Sequence, residues 1–240
     1  MIKYSPIVAL DVANLDQVNT ILKQLDVNPR PMVKIGMEVF YHFGPRIVKH
    51  VQAMGFTVFL DLKLHDIPNT VERAARVIGA LGVEMTTIHA AGGSEMLAAS
   101  KRGLMQGAQE IGKAPAKLLA ITQLTSIDDQ ILHNQQHIAI SLQESVRNYA
   151  KLAESTGLDG VICSALEVPV IREVVSPDFL CITPGIRPNS AQNGDQKRVV
   201  TPNQAAKLGS NGIVIGRPIT QSADPKFAYK QIAEEFKEEK

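Results

Sequence analysis

Short apolar runs rich in β-branched residues recur along the chain at fairly even intervals. They predict strands at Ile7–Asp11, Met32–Gly36, Thr57–Leu62, Met85–His89, Leu118–Gln123, Gly160–Ser164, Leu180–Thr183 and Gly212–Ile215. The segments between them carry helical spacing: Leu15, Val18, Ile21, Leu22 and Leu25 share one face, as do Val71, Ala74, Ala75 and Ile78. Met96, Leu97, Leu104 and Met105 repeat the pattern, and so do Val146, Tyr149, Ala150 and Ala153. Strands that are apolar almost throughout belong in a parallel sheet covered by helices on its outside. Eight such strands alternating with helices predict closure into a (β/α)8 TIM barrel, with a doubly wound open sheet as the competing architecture. No linker-like stretch divides the chain, so residues 1–240 are expected to form a single domain.

In a barrel of this kind the chemistry gathers at the C-terminal ends of the strands. Those ends read, in order, Asp11, Lys34, Asp61 with Lys63, His89, Thr125 with Ser126, Pro184 with Arg187, and Gly216 with Arg217. Each alone is explained as a polar residue meeting solvent. Together they describe one polar pocket of alternating charge. The third end is the densest, with Asp61-Leu62-Lys63-Leu64-His65-Asp66-Ile67-Pro68-Asn69-Thr70 following the apolar Thr57–Leu60. Residues two apart on a strand share a face, so Asp61 and Lys63 should point the same way. Asp66 follows in a turn that Pro68 and Asn69 mark as the break before a helix. A solvated salt bridge is the plain reading of Asp-x-Lys. Against it, ionisable groups are expensive at the end of a strand apolar enough to be central.

The last two strands add a second signal. Thr183-Pro184-Gly185-Ile186-Arg187-Pro188 follows the seventh, and Gly216-Arg217-Pro218 follows the eighth. These are the loops where such barrels hold phosphate, with glycine admitting a close backbone and a guanidinium clamping the anion. The polar, turn-rich stretch after Arg187 is longer than a minimal connection. It is either a surface loop or, as expected here, a phosphate-closing lid at 187–199. A polar insertion at Asp128–Gln136 has short helical character and no legible role.

Composition narrows the function classes. Hydrophobic residues make up 45% and charged residues 20% of 240, an ordinary globular balance. A formal charge of +1 with no long basic run argues against nucleic acid as partner, and the Glu234–Lys240 end reads as a solvated helix tail. Cys163 and Cys181 lie in apolar runs without metal-ligand spacing and read as reduced core residues. No signal-peptide pattern and no apolar run near about 18 residues appears, so a cytoplasmic protein without a membrane partner is expected.

Read together, these motifs resemble the orotidine 5′-phosphate decarboxylase family, in its bacterial form. The resemblance rests on Ala9–Asn14 (ALDVAN), Val33–Gly36 (VKIG), DLKLHDIPNT, Leu124–Ser126 (LTS), TPGIRP, Gly194–Pro202 (GDQKRVVTP) and IGRPI, in the family's order from about residue 7 to 220. The DxKxxD core alone is shared with phosphosugar decarboxylases and hexulose-phosphate synthases of the same superfamily. The resemblance implies conversion of orotidine 5′-monophosphate to uridine 5′-monophosphate in de novo pyrimidine biosynthesis, without a cofactor or metal. It implies that Lys63 donates the proton, set among Asp61, Asp66 and Lys34. It implies a homodimer with shared sites, Asp66 and Thr70 reaching the neighbouring subunit's pocket. Asp11 and Lys34, with the partner subunit's Thr70, would hold ribose hydroxyls. Ser126 would meet the pyrimidine, with Thr125 beside it. Arg187, Gln196, Gly216 and Arg217 would hold the phosphate, Gln196 from the lid.

Those roles make physical sense. Opposite charges about 4 Å apart attract by roughly 4 kcal/mol at an effective dielectric near 20, so carboxylates can fix an ammonium in place. An ammonium aimed at a carbanion stabilises it and then supplies the proton. A Schiff-base role for Lys63 fits less well, because a lysine flanked by carboxylates is a poor amine nucleophile.

Overall fold

A computed structural model describes residues 3–188 and 199–237. The chain runs β1 (Ile7–Leu10), α1 (Leu15–Gln24), β2 (Val33–Ile35), α2 (Met37–Phe43), α3 (Arg46–Ala53), β3 (Val58–Leu64), α4 (Pro68–Gly79), β4 (Met85–His89) and α5 (Gly93–Glu110). It continues β5 (Lys117–Ile121), α6 (Asp129–Asn134), α7 (Leu142–Ser155), β6 (Gly160–Ile162), α8 (Val168–Arg172), β7 (Leu180–Thr183), α9 (Pro202–Lys207), β8 (Gly212–Ile215), α10 (Arg217–Thr220) and α11 (Pro225–Lys237). The strands pair in parallel in chain order, and β1 pairs with β8, so the sheet closes on itself. Closure decides for the (β/α)8 barrel and against the open sheet. The expected strands all form, three of them with the expected bounds and none with an end moved by more than two residues.

The helices start where the local chemistry allows. Asn14 accepts from the Gln17 amide at the start of α1, and Ser141 accepts from the Glu144 amide at the start of α7. Thr201 and Gln204 form a reciprocal capping box ahead of α9. Pro68 occupies the first turn of α4, where its missing N–H is no loss. The insertion after β5 is ordered: α6 is capped by Asp128, buries Leu132, and has Asp129 accepting from the Leu142 amide at 2.8 Å.

The expected inner faces hold for α1, α4 and α7 in their main members, while Leu15 is 38% exposed. The α5 face is corrected, because Met105 is 53% exposed and the buried side is Met96, Leu97, Ala99, Ser100, Gly103, Leu104, Gly107 and Ala108. Small residues let α5 lie directly on α4. A Cβ added at Gly103 would come within 2.1 Å of the Glu72 carbonyl, and one at Gly107 within 1.9 Å of the Arg76 carbonyl.

Charge also gathers at the N-terminal ends of the strands. Asp159, just before β6, pairs with Lys101 and Lys117 and accepts from the Leu118 amide at 2.9 Å. Burial pushes the Asp159 pKa up, but its hydrogen bonds and the two lysines hold it below the usual value. This cluster sits at the end of the barrel that such folds use for stability.

Candidate active site

Strand alternation decides which side chains enter the barrel. Ile7, Ala9, Phe59, Met85, Leu119, Leu180, Ile182 and Val214 form one buried cluster. A larger shell that includes Val8, Leu10, Val33, Ile35 and Leu60 lies under the helices. Counting on by twos from the inner cluster reaches Asp11 just after β1, Asp61 on β3, Thr87 on β4, Ile121 at the end of β5 and Gln123 beyond it, Pro184 just after β7 and Gly216 just after β8. Lys34 lies between two shell residues of β2 and so faces inward. All of these except Thr87 line a cavity of about 470 Å³, with Lys63, Leu124, Thr125, Ile162, Cys163, Gly185, Arg187, Arg217 and Gln221. That volume lies within the roughly 300–1,000 Å³ of small-molecule sites. Its floor is apolar and its rim is charged.

On the rim the charges alternate in sign. Lys34 Nζ stands 3.7 Å from Asp11 Oδ1 and 3.4 Å from Asp61 Oδ2, and Lys63 Nζ is 2.9 Å from Asp61 Oδ1. The Asp61 side chain is only 11% exposed and that of Lys34 13%. Each is placed where a lone charge would cost several kcal/mol, so each depends on its neighbours. Burial acts most strongly on the Asp61 pKa and pushes it up. The charges of Lys34 and Lys63, with hydrogen bonds from Lys63 and Thr87, outweigh it and hold the carboxyl below its usual value. Gly36, after β2, leaves the room this requires, since a Cβ there would meet Asp11 Oδ1 and Lys34 Nζ at 3.3 Å each.

The expected meeting of Asp61 and Lys63 is found, for a different reason than strand alternation alone. The register between β3 and β4 shifts between Leu60 and Leu64, and Lys63 takes a φ of 54°, the left-handed region that a lysine seldom adopts. Such a conformation costs about 1–3 kcal/mol and persists only where its surroundings hold it. Here the Lys63 amide donates to Thr87 Oγ1 at 2.9 Å, and the Thr87 hydroxyl donates to Asp61 Oδ1 at 2.9 Å. Beside this bulge the His65 and His89 rings stack with centroids 5.3 Å apart. Burial first, then the charges of His65 and Lys63, hold the His89 pKa below its usual value against the pull of Asp61.

The β7 and β8 ends shape the other part of the wall. Gly185 has a φ of 77°, which turns the chain after Pro184. Ile186 and Val200 then pair in parallel, with the Arg187 amide donating to Val200 O at 2.9 Å. That bridge joins the two described ends of the 187–199 stretch. After β8, Gly216 precedes Arg217, which opens α10 at the cavity wall.

Of the residues singled out from the sequence, Asp11, Lys34, Asp61, Lys63, Thr125, Pro184, Arg187, Gly216 and Arg217 meet at the one cavity. Ser126, His89, Asp66 and Thr70 are not on its wall. Asp66 and Thr70 are exposed on the turn into α4, where Asp66 Oδ1 accepts from the Ile67 amide at 2.7 Å. Gln196, and most of the expected lid, lie outside the described residues. Sequence reading missed Thr87 and Gln123, both buried, the latter with its amide donating to Ser145 Oγ at 3.2 Å. Counting by twos from Met85 and Leu119 would have found both. Cys163 and Cys181 are free and buried as expected, with Cys163 against the cavity. Among the described residues no three His, Cys, Asp or Glu side chains gather as a metal-ligand set, and no helix is long and apolar enough to cross a membrane.

Comparison with known proteins agrees with this arrangement. The model of the "Orotidine 5′-phosphate decarboxylase / HUMPS family" matches residues 5–232. The orotidine 5′-phosphate decarboxylase of Lactiplantibacillus plantarum is 58% identical over 230 residues, which cover 96% of this chain and 97% of that one. The enzyme of the same name from Lactococcus lactis subsp. cremoris is 52% identical over 231 residues, with the same coverage. A crystal structure of orotidine 5′-phosphate decarboxylase from Lactobacillus acidophilus superposes with a TM-score of 0.88 at 45% identity, covering 98% of this chain and 100% of that one. With a family model spanning nearly the whole length and relatives identical at more than half of the aligned positions, the chain belongs to the orotidine 5′-phosphate decarboxylase/HUMPS family.

Proposed function

We propose that this chain removes carbon dioxide from orotidine 5′-monophosphate to give uridine 5′-monophosphate, the decarboxylation step of de novo pyrimidine biosynthesis, with Lys63 as proton donor. The observation that carries the reading is the chain of alternating charges Asp11–Lys34–Asp61–Lys63 in a cavity whose wall also holds Arg187 and Arg217. When the bond to the carboxylate breaks, its electron pair stays on the ring carbon. The Lys63 ammonium stabilises that pair and then protonates it, and the resulting amine regains its proton from water. Asp61, itself paired with Lys34, holds the ammonium in place before the reaction begins. Because their positions are set by folding, little reorganisation remains for the chemical step.

The surrounding residues take the substrate's other parts. Asp11 and Lys34 hold ribose hydroxyls, joined by Thr70 of the partner subunit. Ser126, exposed next to the wall residue Thr125, turns in to meet the pyrimidine, with Thr125 beside it. Pro184 lines the substrate, and Arg187, Gln196, Gly216 and Arg217 take the phosphate, which is remote from the reacting carbon. Its binding energy is therefore available to close the site and orient the ring. Asp66 of the partner subunit completes the charge pattern near the departing carboxylate.

The direct test is the ultraviolet change as orotidine 5′-monophosphate is consumed, followed with and without a metal chelator. Turnover that is indifferent to the chelator is expected. No turnover of this nucleotide by the folded protein, or activity abolished by the chelator, overturns the proposal. Arg217→Ala should keep the chemistry and lose a charge-assisted contact to the phosphate. The expected fall in kcat/KM is about 10- to 150-fold, from roughly 1.5–3 kcal/mol, carried mainly by KM. Steady-state kinetics that show unchanged kcat and KM would remove Arg217 from the phosphate site.

A further inference from the structure

We infer that Thr87 is a positioning residue for the reaction, holding the Lys63 backbone and one oxygen of Asp61 with a single hydroxyl. The inference rests on the decarboxylase reading above. Thr87 is fully buried on β4, one strand away from the residues it serves. Its Oγ1 accepts the Lys63 amide at 2.9 Å and passes its own proton toward Asp61 Oδ1, also at 2.9 Å. A hydroxyl has one proton to give, so the two bonds have fixed directions. Asp61 Oδ1 is the same oxygen that meets Lys63 Nζ at 2.9 Å. Thr87, Asp61 and Lys63 therefore close a ring in which the backbone and the side-chain end of Lys63 are tied to one group.

That ring explains a feature the strand pairing leaves open. At Lys63 the register of β3 against β4 has shifted and φ is 54°, so the regular ladder no longer fixes this amide. Thr87 supplies the missing acceptor. Its neighbour Thr86 performs a plainer task on the opposite face, its hydroxyl donating to the Leu60 carbonyl at 2.9 Å where the ladder is still regular. Without the Thr87 hydroxyl the Lys63 amide would be left without that partner, and the carboxylate would lose one of the donors that orient it. The ammonium would then be set less closely against the reacting carbon, where small displacements of a catalytic group have large effects on rate.

The test compares Thr87→Val, which keeps the shape and removes the hydroxyl, with Thr87→Ser, which keeps the hydroxyl. For Thr87→Val, kcat on orotidine 5′-monophosphate should fall about 10²-fold while KM changes little. Thr87→Ser should stay within about threefold of the wild type, since both hydrogen bonds remain possible. The acidic limb of the kcat profile should move to higher pH in Thr87→Val, because a carboxylate that has lost a donor holds a proton more readily. A packing role would move neither that limb nor the difference between serine and valine. If Thr87→Val does not fold, Thr87→Ala makes the same comparison with less crowding. Hydroxyl-free variants within threefold of wild-type kcat, or a serine variant as impaired as valine, would overturn the inference. Absence of turnover in the wild type would instead remove the decarboxylase reading itself.

Discussion

Lys63→Ala is expected to fold, to bind nucleotide, and to lose decarboxylation almost entirely. The fold should survive because the carboxylate left behind is not abandoned: Asp61 keeps Lys34 at 3.4 Å and the Thr87 hydroxyl at 2.9 Å. Binding should survive because the phosphate and ribose contacts proposed above come from other strands. The rate should not survive, since in the proposed mechanism the ammonium acts where charge develops and is also the only proposed proton source. Loss of one preorganised electrostatic donor typically costs about 3–4 kcal/mol, or roughly 10²–10³ in kcat, and here the proton is lost with it. The expected pattern is a fall in kcat and kcat/KM together, followed by ultraviolet absorbance and by direct binding of uridine 5′-monophosphate. A folded Lys63→Ala enzyme with more than about a tenth of wild-type kcat would show that another group carries the proton.

The barrel could be read from the sequence because its rule is local: apolar runs of strand length, each followed by a helical period, force a parallel sheet with covered faces. The polar strand ends were legible for the same reason, since a charge that closes an apolar run stands out. What escaped reading depends on tertiary contact. Nothing in Leu62-Lys63-Leu64 announces a left-handed residue; no glycine or asparagine marks it, and the bulge becomes visible only once β4 lies alongside. Thr87 was hidden by its composition, because two threonines in an apolar run read as ordinary β-branched strand. Following large apolar residues alone puts Met105 on the buried face of α5, whereas the closest approach to α4 is made at Gly103 and Gly107. Close helix packing selects small residues, and these carry little weight in a hydrophobic pattern. Nothing in the sequence tells which of Thr125 and Ser126 faces the barrel, because that depends on the path of the loop after β5, which puts Thr125 at the cavity and Ser126 exposed beside it.

The remaining large effect concerns Asp66, which the single chain leaves unused. It is exposed on the turn between β3 and α4, off the cavity wall, with the 66%-exposed Ile67 next to it and Thr70 exposed in the first turn of the helix. An acid, an apolar side chain and a hydroxyl presented together beside a charged pocket suit insertion into a second copy of the same pocket. A two-fold dimer makes such an exchange reciprocal. If the proposed sharing holds, Lys63→Ala and Asp66→Ala should each be inactive as homodimers, and a mixture should not be. In the heterodimer one pocket combines both lesions, while the other joins an intact Lys63 to the intact Asp66 of the partner subunit. Random exchange at equal concentrations makes half the dimers mixed, each with one native pocket of two, so recovery should approach about a quarter of wild-type activity. The measurement is turnover of orotidine 5′-monophosphate before and after subunit exchange, with heterodimer formation followed by mass spectrometry. The increase should track the heterodimer fraction and vanish when exchange is prevented. Heterodimers that form without any return of activity would mean that each chain completes its own pocket, and Asp66 would have to act, if at all, on the chain that carries it.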